Sequence, residues 1–212
     1  NVTADVHQNP DSDYIVEVID GRLKLCEKEN ENKAEIAEII DPYPVPQYRN
    51  KTFDDGVTYG QIVDAVPGKS FSRVTPFRMC QYWAKGDQCK YCDINEAGKV
   101  QKKLGLRSSQ KWIEDADRVA EVMKEIYLRE EWPTGKKPRS IMITGGTILT
   151  KINGMTEDEF YLQYVERIKD AIGSRWPICL QSSPKSRDMA KKYKAAGVDV
   201  HETNLEVWDP EL

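Results

Sequence analysis

The chain has 212 residues, enough to bury one good-sized core or a core with an appendage. At 39% apolar and 31% charged residues it holds no apolar run near the roughly 18 residues of a membrane span and no apolar leader, so a soluble, cytoplasmic protein is expected. A net charge of −4 offers no basic surplus for nucleic acid, and five cysteines, three of them crowded into one stretch, argue for metal-binding thiols rather than a disulfide scaffold.

Residues 1 to 70 read as an N-terminal appendage. "DYIVEVIDGRLKL" alternates apolar and polar positions on both sides of Asp20-Gly21, a hairpin signal. A short helix is expected from about Asn32 to Ile40. "DPYPVPQYRN" then places three prolines within five residues, which forces extended backbone and marks a linker.

From residue 71 to 212 the pattern becomes strand alternating with helix. "SRVTPF" is the first strand candidate and leads into the cysteines. "SSQKWIEDADRVAEVMKEIYLRE" has helical apolar spacing, with Ser108 or Ser109 able to cap it. "RSIMITGG" reads as a buried parallel strand. "TEDEFYLQYVERIKDAIG" opens with a capping box, Thr156 with Glu159, and stops at Gly173. "PICLQSS" is a third strand, "PKSRDMAKKYKAAG" a helix with a proline at its start and Gly197 at its end, and "VDVHETNLEV" a fourth strand.

The order β-α-β-α-β-α-β implies an α/β fold with a parallel sheet, and ligands in such folds sit beyond the carboxyl ends of the strands. Those ends are the cysteine loop, "TGGT", "QSSP" and "ETNLEVW", which the reading expects to face one cavity. Cys179, inside a strand, reads as a small buried residue or as a ligand to a second cluster. Cys26, closing the hairpin, reads as structural or incidental. His201 reads either as a satisfied polar group or as part of a substrate pocket, and the five tryptophans, sharing no spacing, as packing.

The stretch "RMCQYWAKGDQCKYCDIN" spaces Cys80, Cys89 and Cys92 as C-x8-C-x2-C. Structural zinc wants four protein ligands, and neither His7 nor His201 stands in register to supply one. Three thiolates suit an iron–sulfur cluster with one iron left open. Lys85 and Lys90 beside them either offset the thiolate charge or are solvated surface lysines.

Cys89-Lys90-Tyr91-Cys92 resembles the C-x-aromatic-C half of the radical S-adenosylmethionine (radical SAM) motif, in the loop after the first barrel strand. The familiar spacing is C-x3-C-x2-C, so this loop is enlarged by five residues. "ITGGT", Ile143 to Thr147, resembles the superfamily's glycine-rich motif, and "HETNLEVWD" resembles the fourth-strand signature of its biotin synthase-like branch. The likeness runs from about residue 72 to 210.

The resemblance implies a partial (β/α) barrel of radical SAM type, carrying the N-terminal α+β appendage and ending after the fourth strand of a longer parent. It implies a [4Fe–4S] cluster on Cys80, Cys89 and Cys92, with S-adenosylmethionine (SAM) on the fourth iron. SAM contacts then fall to Tyr91 at the adenine or cluster edge, Gly145, Gly146 and Thr147 at the methionine amino group, Ser182 and Ser183 in the pocket wall, and Asn204 and Glu206 at the ribose. Gly145 and Gly146, without side chains, let backbone approach the ligand. A second iron–sulfur cluster is allowed for.

Reductive cleavage of SAM to a 5′-deoxyadenosyl radical for hydrogen abstraction is the implied activity. Sulfur insertion, as in lipoyl or biotin synthesis, is the leading chemistry, and a split-type lipoyl synthase component the nearest fit. A cofactor-maturation or carbon-skeleton enzyme is the rival. Implied partners are a reductant such as ferredoxin or flavodoxin, and an acylated carrier protein or a second radical SAM subunit. A non-enzymatic zinc-binding interaction module, taking its fourth ligand from elsewhere, is the alternative from another class.

Overall fold

The computed structural model describes residues 11–28, 35–39, 45–65, 70–103, 112–132 and 137–204. The chain divides into two compact units, Asn1–Pro44 and Val45–Leu212. Among the described residues no helix is long and apolar enough to cross a membrane.

In the first unit β1 (Tyr14–Ile19) and β2 (Arg22–Glu27) form an antiparallel hairpin with Ile19 opposite Arg22. Asp20 and Gly21 have φ of 53° and 73°, the left-handed pair that a two-residue type I′ turn requires. Where a short helix is expected, the chain instead forms β3 (Glu35–Ile39), antiparallel to β2. Isolated helices shorter than about 12 residues are marginal in water, whereas the open edge of β2 supplies ready hydrogen-bond partners. Cys26 is buried on β2.

The second unit opens with a 3-10 turn (Gln47–Asn50), α1 (Tyr59–Ile62) and β4 (Val63–Ala65). β5 (Phe71–Val74) follows, then α2 (Tyr82–Lys85) inside the cysteine loop and α3 (Ile94–Lys103) just after it. α4 (Ala116–Lys124) runs into a π-helical turn (Glu125–Arg129) and β6 (Ser140–Ile143). α5 (Glu157–Ile172), β7 (Ile178–Gln181), α6 (Arg187–Ala196) and β8 (Val200–Glu202) complete it.

The sheet order is β4-β5-β6-β7-β8, with β5 to β8 parallel and β4 antiparallel at the edge. The fold is therefore α/β. Residues 45–65, grouped by sequence with the appendage, here edge the second unit's sheet. Buried Tyr48 holds them: its hydroxyl accepts from Ala65 N at 2.7 Å and donates to Val63 O at 3.0 Å. Glu130 adds to this by accepting from the backbone N–H groups of Gln47 and Tyr48 at 2.6 and 3.1 Å.

The helix ends show why the elements start where they do. Thr156 and Glu159 form the expected capping box of α5, and Gly173 ends it. α6 starts not at Pro184 but after Ser186, whose hydroxyl accepts from Met189 N, and it ends at left-handed Gly197. α4 begins later than expected, because Asp115 accepts from the N–H groups of Asp117 and Arg118 at 2.9 and 3.1 Å. Ahead of it, Ile113 bridges to Phe77 and Trp112 O accepts from Arg78 N at 2.8 Å, so that stretch is extended. Ser108 and Ser109 lie outside the described residues.

Burial alternates along the strands. Ser72, Val74, Ile141, Ile143, Ile178 and Leu180 are buried, the apolar ones sharing a core with Val119, Met123, Phe160, Tyr164 and Tyr193 of the helices. Arg73, Met142, Cys179, Gln181 and Glu202 lie on the other, uncovered face.

Candidate functional site

The first cysteine is seated by the glycine pair. Past β6, Gly146 N donates to Phe77 O and Thr147 O accepts from Gln81 N, both at 3.0 Å, so the chain entering the cysteine loop runs against "GGT". A Cβ on Gly146 would fall 1.6 Å from Met79 O and 2.7 Å from Cys80 Cα. A Cβ on Gly145 would fall 2.6 Å from Tyr161 Oη and 2.8 Å from Phe77 O. On its side-chain side Gly146 thus meets the backbone that carries Cys80, and Gly145 meets the Tyr161 hydroxyl and Phe77 backbone, where the sequence reading put the ligand. Burial raises the Tyr161 phenol, which stays protonated and donates to Gly146 O at 2.9 Å.

Cys80 N also donates to Asn95 Oδ1 at 3.0 Å, tying the loop's start to α3. Gln81 Oε1 accepts from Leu149 N at 2.7 Å and Thr150 N at 2.8 Å, which fixes the loop after β6 to the same point. Sequence reasoning passed over Gln81 and Asn95, since their roles rest on contacts between distant segments. A mainly apolar cavity of about 600 Å³ adjoins Cys80, lined by Met79, Trp83, Asn95, Trp112 and Ile113 among others.

Beyond α2 the loop turns on left-handed Gly86, and Cys89 and Cys92 share one turn through Cys92 N to Cys89 O at 3.1 Å. None of the three cysteines forms a disulfide, and all three are partly exposed. Tyr91 is 70% exposed, and Lys85 and Lys90 lie on the surface. Gln88 Oε1, beside Cys89, is buried without a hydrogen-bond partner, the sole such side-chain atom among the described residues. Among those residues no group of three His, Cys, Asp or Glu side chains is gathered to hold a metal, so the three thiols do not converge in this conformation. As a donor set they suit an iron–sulfur cluster: three partly exposed thiols, none in a disulfide, on one loop at the carboxyl end of a parallel strand.

The other strand ends carry a polar line. Thr144 Oγ1 donates to Gln181 Oε1 at 2.6 Å, and Gln181 Nε2 donates to Asn204 Oδ1 at 3.3 Å. Strand alternation could have found Gln181, two positions after Cys179 on the uncovered face. Cys179 is there too rather than in the core, its Sγ 3.6 Å from Glu202 Oε2. Burial and the Glu202 carboxylate push its thiol up to about 11. Asn204 is exposed, and Glu206 lies outside the described residues.

Ser182 and Ser183 turn to protein partners. Ser182 Oγ lies 3.1 Å from His201 Nε2, and the His201 ring meets Tyr193 edge-on at 5.3 Å, so this histidine is a satisfied polar group. Ser183 Oγ donates to Glu157, at the start of α5, which also receives Lys185 Nζ at 2.5 Å. Lys185 further pairs with Asp158 at 2.9 Å, and Tyr193 donates to Asp158 at 2.6 Å. The expected single cavity therefore resolves into two groups. Cys80, Gly145, Gly146 and Thr147 come together, with Thr144 leading on to Asn204, while Ser182 and Ser183 belong to a buried charged network.

Comparison of the chain with protein-family models, curated proteins and solved structures returns no match.

Proposed function

We propose that the chain is a radical SAM protein whose Cys80, Cys89 and Cys92 hold a [4Fe–4S] cluster, with β5 to β8 as part of a (β/α) barrel and the uncovered sheet face as its interior. One observation carries the reading: the glycine motif and the first cysteine, far apart in sequence, are packed backbone to backbone at the carboxyl end of adjacent parallel strands. Bound together, cluster and SAM supply reductive cleavage of the sulfonium to methionine and a 5′-deoxyadenosyl radical that abstracts hydrogen.

The residues of the chain bind and orient. Cys80 is the fixed ligand, and the turn bearing Cys89 and Cys92 closes onto it, with Gly86 as the pivot. Gly145 to Thr147, the glycines' side-chain side filled by protein, meet the methionine amino group with backbone atoms on the opposite side. Asn204, steadied by Gln181, and Glu206 take the ribose. Tyr91 folds over the adenine or the cluster edge from its exposed position. Ser182 and Ser183 support the wall from behind through His201 and Glu157 rather than touching SAM.

Sulfur insertion into an acyl group on a carrier protein is the leading chemistry, with ferredoxin or flavodoxin as the electron source. The test is 5′-deoxyadenosine formation by anaerobically reconstituted protein with dithionite and SAM, then lipoyl product with an octanoylated carrier. Cleavage that Cys80→Ala abolishes supports the reading. Cleavage retained in Cys80→Ala removes that cysteine from the site. Deoxyadenosine without lipoyl product turns the choice to a cofactor-maturation or carbon-skeleton reaction.

A further inference from the structure

At the β4 edge of the sheet, Arg49, Arg73 and Arg78 line a pocket of about 280 Å³ together with Gln61, Asp64 and Thr75. Asp64 is the one carboxylate among the described lining residues, and two arginines share it. Arg49 Nη1 lies 2.7 Å from Asp64 Oδ1 and Arg73 Nη2 lies 3.4 Å from Asp64 Oδ2, the second at the outer limit of a hydrogen bond. Arg78 is engaged separately, Nε with Glu114 at 3.0 Å and Nη2 with Gln61 O at 2.9 Å. Arg49 and Arg73 alone bring two guanidinium groups to one carboxylate, a surplus of one positive charge (2 − 1). Each guanidinium presents about five N–H donors, more than one shared carboxylate can accept.

The walls are built, not incidental. Arg49 follows buried Tyr48, whose hydroxyl is pinned to β4. A Cβ on Gly60 would lie 3.1 Å from Arg49 Cβ and from Arg49 O, so α1 packs directly on the arginine's backbone. Arg73 stands on β5, opposite Asp64 on β4. Two arginines set on packed elements with a single carboxylate between them form a preorganised receptor, because the planar fork matches the paired oxygens of a carboxylate or phosphate.

We propose that this pocket binds a small oxyanion, a phosphate or carboxylate group of a small molecule, through Arg49 and Arg73, with Arg78 completing the rim. Its volume suits a head group and leaves the rest of the ligand outside. The site needs neither cluster nor SAM, so it stands or falls apart from the radical SAM reading.

The test is calorimetric titration of the full chain with inorganic phosphate and, separately, with succinate, at constant ionic strength against a chloride control. Saturable binding of one anion per chain is expected, weakened at least about tenfold in Arg73→Ala. Phosphate alone binding identifies a phosphate head group, and succinate binding identifies a carboxylate. Asp64→Asn removes the competing carboxylate and should tighten binding severalfold, an opposite change that a merely structural role does not produce. The proposal is overturned if neither anion saturates the protein, if Arg73→Ala binds as the parent does, or if Asp64→Asn fails to tighten binding.

Discussion

Gly146 lies directly beneath the peptide that joins Met79 to Cys80, so close that a Cβ there would sit 1.6 Å from the Met79 carbonyl oxygen. Backbone, unlike a flexible side-chain end, cannot step aside cheaply. Gly146→Ala should therefore cost about 3 kcal/mol or more in chemical denaturation, at the upper end of overpacking effects, and should lower the iron retained after reconstitution. A variant that unfolds and binds iron like the parent would mean that Cys80 is not seated by this glycine.

Lys185 and Glu157 form an ion pair with side chains 8% and 7% exposed. Removing one partner leaves the other's charge buried, so Lys185→Met should cost about 3–5 kcal/mol. Lys185→Met with Glu157→Gln removes both charges and should recover part of that loss. A loss in the double variant equal to the sum of the losses in Lys185→Met and Glu157→Gln would show that the pair is not coupled.

Acid should weaken the fold in two steps. Burial, and then the nearby Lys185 charge, holds the His201 imidazole below its usual range. Burial alone would raise Asp158 and Asp199, but hydrogen bonds from Tyr193 and Lys185 to the first, and from Ile178 N and Lys169 to the second, outweigh it and hold both low. In each case the folded state binds fewer protons than the unfolded chain. Stability is therefore full above about pH 6.5, declines as the His201 share is lost below that, and declines again below about pH 4 as the carboxylates protonate. Denaturation midpoints at pH 8, 5.5 and 3.5 should fall in that order; a midpoint that rises on acidification contradicts the assignment.

Cys179 carries a thiol pushed up to about 11 by burial and Glu202. Its alkylation by iodoacetamide, followed by mass spectrometry, should be slow at pH 8.5 and approach half its maximal rate near about pH 11. Glu202→Gln removes the neighbouring charge and should move that midpoint down. A midpoint below pH 9 in the parent would place Cys179 in a different environment, one fit for a thiolate ligand.

Where local chemistry decides structure, the sequence was legible. Asp20-Gly21 specifies its turn by itself, Thr156 with Glu159 caps α5 from within four residues, and the four parallel strands follow from apolar runs bounded by glycine, proline and serine. Tertiary partners decided the rest. Residues 35–39 became a strand because β2 offered an edge, and Trp112 and Ile113 stayed extended because Phe77 and Arg78 bind them. The site was legible as residue types and not as geometry: the glycines serve Cys80 first, and Ser182 and Ser183 face a network whose buried Glu157 and Lys185 no local pattern announced.

The central claim is an iron–sulfur cluster with an open iron. The measurement is EPR of the anaerobically reconstituted, dithionite-reduced chain, recorded with and without SAM. The account expects a [4Fe–4S]⁺ signal that changes on adding SAM and is lost when Cys80, Cys89 or Cys92 is replaced by alanine. One zinc per chain with no such signal would contradict it and return the three cysteines to a structural role.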